Sequence, residues 1–104
     1  AYAYDKVKSG VDVPNAATVI GVALNANKDA TVSLNDKNDA KKGDVYSVTL
    51  EQLRDNGYVT VGTFSGTVAS DGATSVTIEL RGVIGAGTYK VTAGSYSSIM
   101  SFAN

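Results

Sequence analysis

The 104-residue sequence contains no cysteine, no histidine and no tryptophan, one proline and two glutamates. Without cysteine there is no disulfide framework and no thiolate nucleophile. Without histidine the usual general base and the commonest transition-metal ligand are both missing. Ten serines are present, but there is no base to activate one and no Gly-x-Ser-x-Gly elbow. Ser47, Ser75 and Ser101 read as strand-surface residues. The two glutamates, Glu51 and Glu79, fall at outward positions of alternating segments, and a glycosidase needs two carboxylates facing each other across a cleft. The expectation is therefore that the chain is not an enzyme.

Charge is also scarce. Nine basic and ten acidic residues make up 18% of the chain and leave a net charge of −1. They are dispersed, so the basic stripe that nucleic acid requires is absent, and no nucleic-acid partner is expected. The longest mostly apolar stretch, Ala16 to Leu24, is nine residues, against the roughly 20 that span a bilayer, so no membrane insertion is expected. The glycines Gly82, Gly85 and Gly87 lie between two strand-like segments with no helix following, which is turn chemistry and not a phosphate cradle.

What the sequence has in quantity is β-branched and small residues: fourteen valines, ten threonines, ten serines and eleven glycines, against five leucines. Valine and threonine suit a pleated surface, whereas leucine and glutamate are helix formers. Alternation confirms the bias. Thr74 to Arg81 puts Val76, Ile78 and Leu80 on one side and Ser75, Thr77, Glu79 and Arg81 on the other. Asp44 to Glu51 repeats this with Tyr46, Val48 and Leu50 inward, and Gly87 to Ala93 with Tyr89, Val91 and Ala93 inward. Thr18 to Leu24 groups Ile20, Val22 and Leu24, and Thr31 to Leu34 pairs Val32 with Leu34. Tyr58 to Ala69 is long enough to hold two strands or a bulge, because Gly62 and Gly66 interrupt it. Ser97 to Phe102 is the last strand.

Asn56-Gly57 and Asp71-Gly72 are dipeptides that tight hairpins favour, and Asn25 to Asp29 and Gly82 to Gly87 read as loops. Pro14 favours an extended entry. The one helix candidate, Leu50 to Asp55, is a single turn between strands. Seven or eight short strands with regularly spaced turns predict an all-β antiparallel sandwich in one domain over 1–104. The chain begins at Ala1 and ends in strand register at Ser101-Phe102-Ala103-Asn104, and is expected to be a piece of a larger multidomain protein.

The segment Gly87-Thr-Tyr-Lys-Val-Thr92, preceded by Val76-Thr-Ile-Glu-Leu80, resembles the second-last strand and its predecessor in bacterial immunoglobulin-like domains. Gly43-Asp-Val-Tyr-Ser-Val-Thr-Leu50 similarly resembles the opening core strand of that family. The resemblance implies an immunoglobulin-like sandwich in which the Tyr89 hydroxyl bonds back to nearby backbone and Val91 takes the position of the second cysteine. The tryptophan of antibody-type cores is missing. The resemblance further implies an extracellular, cell-surface setting, as in S-layer, adhesin and pilus proteins, with neighbouring domains or subunits of the same assembly as partners. The expected function is a structural or interaction module of a bacterial cell-surface assembly. The alternatives are a carbohydrate- or ligand-binding accessory module of a secreted protein, or a phage virion decoration or tail module.

Three candidate sites remain. Asp36, Asn38, Asp39 and Asp44 form the densest oxygen cluster and could hold calcium, which takes six to eight oxygen ligands. The match to an EF-hand loop fails at Ala40 and Lys41, and Lys37, Lys41 and Lys42 offset the charge, so a polar inter-strand loop is the plainer reading. A glycan would be met by exposed tyrosines, for which Tyr2, Tyr4, Tyr58 and Tyr96 are the candidates, Tyr46 and Tyr89 being inward. An intramolecular isopeptide between Lys6 or Lys8 and Asn104 has the right chain order but no recognisable motif.

Overall fold

The computed structural model describes residues 17–35 and 40–103. Among them the chain forms seven strands and no helix: β1 (Val19–Leu24), β2 (Asp29–Leu34), β3 (Val45–Arg54), β4 (Gly57–Thr67), β5 (Ser75–Glu79), β6 (Gly87–Ala93) and β7 (Tyr96–Phe102). They make two antiparallel sheets, ordered β1-β2-β5 and β4-β3-β6-β7. The predicted all-β antiparallel sandwich is the observed architecture.

The core is the set of inward residues that alternation marks. Val76, Ile78 and Leu80, with Val32 and Leu34 beside them on the same sheet, face Val48, Leu50, Tyr89, Val91 and Ala93, all buried. Leu50 sits at the centre of the larger sheet, opposite Gly62 on one side and Val91 on the other, and is fully buried. Burying a leucine or valine side chain is worth about 1.5–3 kcal/mol, and this is what holds the two sheets face to face.

The sandwich closes at both edges. On one edge β1 lies beside β7, and Leu24 N–H donates to Ser98 Oγ at 3.2 Å, satisfying a backbone donor that an edge strand would otherwise present to water. On the other edge β4 runs against β5. Gly66 makes this approach possible: a Cβ there would meet Ile78 Cγ1 at 2.9 Å and the Thr77 carbonyl oxygen at 3.1 Å.

Four expectations need correction. Leu50 to Asp55 is not a helical turn; β3 runs straight through it to Arg54, because pairing with β4 and β6 on both sides outweighs the helix preference of six residues. The β3–β4 hairpin then turns on Asp55-Asn56, and Gly57 follows at φ 118°, so the dipeptide is shifted by one residue from the expected Asn56-Gly57. Asp71-Gly72 turns the chain from one sheet to the other and joins no hairpin, although Gly72 does take φ 79°. Ile20 does not point inward with Val22 and Leu24: the register slips between Val19 and Gly21, and this bulge leaves Ile20 52% exposed. The long β4 segment is one strand with a bulge, where Leu50 faces Gly62 and Glu51 faces Thr60, so Val61 is the extra residue.

Candidate interaction surface

Two tyrosines tie loops to the sandwich. Tyr89 opens the inward row of β6, and its ring packs edge-on to Phe102 with centroids 6.2 Å apart. Its hydroxyl accepts a hydrogen bond from Gly85 N–H at 3.2 Å, four residues back, in the loop that leads from β5. The expected return bond from this tyrosine to backbone is therefore present, and Val91, two residues on, is fully buried. Tyr46 is half-buried, and its hydroxyl donates to the Ala17 carbonyl at 2.7 Å, fixing where the chain enters β1. Burial, followed by the nearby Asp44 carboxylate, raises the Tyr46 phenol above its ordinary 10.0.

Of the proposed calcium ligands, Asp36, Asn38 and Asp39 lie outside the described residues. Asp44 is described, and its carboxylate closes a local turn: Oδ2 accepts from Lys41 N–H at 3.0 Å, while Asp44 N–H donates to the Lys41 carbonyl at 2.9 Å. No group of three or more acidic residues comes together around a metal-sized space among the described residues. Tyr2, Tyr4, Lys6, Lys8 and Asn104 also lie outside them.

The other polar features are small. Arg81 bridges two acids that face each other across β2 and β5, with Nη2 at 3.0 Å from Glu79 and Nε at 3.8 Å from Asp29. At the tip of the β3–β4 hairpin an open recess is lined by Arg54, Asp55, Asn56 and Val59, with Arg54 Nε turned back onto Gln52 at 3.1 Å. Neither presents a nucleophile beside a base, which covalent catalysis would need. Ser47, Ser75 and Ser101 are exposed on strands, as expected. Glu79 is exposed, whereas the Glu51 side chain is 25% exposed because Lys90 lies against it.

That contact belongs to the largest organised surface of the described residues, the outer face of the four-stranded sheet. Register places its outward side chains in rows across the strands. One row reads Thr63, Thr49, Thr92, Ser97 from β4 to β7. The next reads Thr60, Glu51, Lys90, Ile99. Beyond it Leu53 faces Tyr58. Lys90 Nζ is 3.6 Å from Glu51 and 4.5 Å above the Tyr58 ring, so the only two charges in these rows are paired with each other. Two further hydroxyl pairs lie on the same face, Ser47 with Ser65 at 2.8 Å and Thr88 with Ser101 at 2.7 Å. Alternation marked Ser47, Thr49, Glu51, Thr88, Lys90 and Thr92 as outward, but it assigned no faces within β4 and only Ser101 in β7, and strand order is not contained in alternation. Tyr58, expected among the exposed tyrosines, is half-buried by its Lys90 and Leu53 neighbours, and Tyr96 is 42% exposed. No protein-family model matches the chain, and neither a curated protein nor a solved structure is significantly similar to it.

Proposed function

We propose that this chain is an immunoglobulin-like structural module of a bacterial cell-surface assembly, working as a spacer or lattice domain. The strand order supports the immunoglobulin-like reading. With β1 to β7 taken in chain order, the second and fifth strands pair in one sheet and the third and sixth in the other, as in immunoglobulin sandwiches. The return bond from Tyr89 to the loop before its strand is the counterpart of the tyrosine corner of those domains.

The observation that carries the architectural reading is where the first described strand starts and the last one ends. Ala17 leads into β1 at the level of Tyr46, to which it is hydrogen-bonded. Phe102 ends β7 opposite Gly87, two residues before Tyr89, which faces Gln52. Among the described residues, Ala17 and Phe102 are thus about eight strand residues apart along β3, roughly 26 Å at about 3.3 Å per residue, at opposite ends of the sandwich. A module traversed end to end adds length to a chain of modules, whereas one entered and left at the same end hangs off it. The polar features found elsewhere are local turns and paired charges, which suits a domain whose work is done by its shape.

The test is localisation. An antibody raised against the folded domain should label intact cells of the source organism without permeabilisation. Labelling that appears only after permeabilisation would sink the reading.

A further inference from the structure

We infer that the outer face of the β4-β3-β6-β7 sheet is a binding surface for an uncharged polysaccharide, a property separate from the architectural role above. Three observations point to this ligand class. The first is charge. Glu51 and Lys90, the only charged residues in the rows, neutralise each other at 3.6 Å, so the face offers no field to attract an acidic or a basic polymer.

The second is the chemistry of the rows. Thr63, Thr49, Thr92 and Ser97 bring four hydroxyls in line across four strands, and among the described residues no side-chain hydrogen bond joins them to one another. Neighbours in such a row are about 4.8 Å apart, and successive rows about 6.7 Å. A hydroxyl donates one and accepts two hydrogen bonds, so this row can exchange bonds with a sugar in either sense. Apolar surface lies on the same face: Ile99 in the next row is 57% exposed, and Leu53, one row further on and paired with Tyr58, is 45% exposed. A pyranose needs both kinds of surface, because its ring presents C–H groups on its faces and hydroxyls around its rim.

The third is size. Four strands by about eight residues give a face of about 500 Å², from the strand spacing and rise. The face is large enough for several sugar units.

The experiment is affinity electrophoresis of the intact chain through gels containing hydroxyethylcellulose, xylan or glycol chitin, with polygalacturonate as the charged counterpart. A soluble fragment of whichever neutral polymer retards the chain would then be titrated into the 15N-labelled protein. The expected result is retardation by at least one neutral polymer, none by polygalacturonate, and amide shifts concentrated on β3, β6 and β7. Thr49→Val with Thr92→Val removes two hydroxyls while keeping β-branched side chains, and should weaken binding at least fivefold with Tm unchanged within a few degrees. Tyr58→Ala, at the hairpin edge, should weaken it as well. The inference is overturned by failure of all three neutral polymers to retard the chain. It is equally overturned by equal retardation in polygalacturonate, or by binding that both sets of variants leave unchanged.

Discussion

Gly66→Ala isolates the contact that closes one edge of the sandwich. Alanine in place of glycine normally stabilises a strand, by about 0.4–1 kcal/mol, because the unfolded chain loses freedom. Here the added methyl would stand 2.9 Å from Ile78 Cγ1, 3.1 Å from Val76 Cγ1 and 3.1 Å from the Thr77 carbonyl oxygen. Carbon atoms pack at about 3.5–4.0 Å, so Ile78 Cγ1 would have to retreat by about half an ångström or more and the other two neighbours by a few tenths. Ile78 and Val76 are both 2% exposed and packed into the core, and the third neighbour is backbone, so none can swing away. Overpacking of this kind costs about 1–3 kcal/mol, which exceeds the entropic gain. For a chain of this length the net effect is a fall in Tm of roughly 5–15 °C. Urea unfolding followed by far-UV circular dichroism measures it, with Gly82→Ala as the control, since a Cβ there meets nothing within 4 Å. A Gly66→Ala protein as stable as the parent would show that β4 does not press on β5, and the argument for this edge would fail.

Other substitutions probe other contacts. Leu50→Ala empties the centre of the core, where Leu50 is fully buried, and should cost about 2–5 kcal/mol in the same urea assay. Tyr89→Phe removes the acceptor for Gly85 N–H and should cost about 0.5–1.5 kcal/mol, with faster amide exchange confined to the loop before β6. Tyr46 gives a pH signature. Its folded phenol is raised above the ordinary 10.0, so the unfolded chain loses this proton first; stability is complete below pH 10 and declines as pH rises from there through the folded value. Comparing parent with Tyr46→Phe between pH 8 and 11.5 should show a steeper alkaline loss in the parent, and parallel curves would refute it. Lys90→Met keeps the stem and deletes the charge above Tyr58; at this partly exposed site the loss should stay within about 1 kcal/mol.

The inward rows of β3, β5 and β6 were legible because one face of each is wet, and period-two alternation reports that directly. The exceptions come from places where period two breaks. The slip between Val19 and Gly21 moves Ile20 to the outside; Gly21 was the one signal for it, of the kind read at Gly62 and Gly66 but not read in β1. Leu50 to Asp55 carries helix-favouring side chains, and pairing with β4 across the following hairpin, and with distant β6 as far as Gln52, holds it extended. Asp71-Gly72 announces a turn but not which sheets it joins. The hydroxyl row on the outer face has the same cause: Thr49, Thr63 and Thr92 become neighbours only once β4, β3 and β6 are known to lie side by side.

Entry at the Tyr46 level and exit beside Gly87 set how the domain meets a pulling force. Tension applied at Ala17 and Phe102 would drag β1 back along β2 and β7 forward along β6, each parallel to its own ladder. All the bonds of a ladder then bear load together, in shear, instead of parting one at a time as a zip does. Under such a load the seven paired residues of β6 and β7 would have to yield as a group.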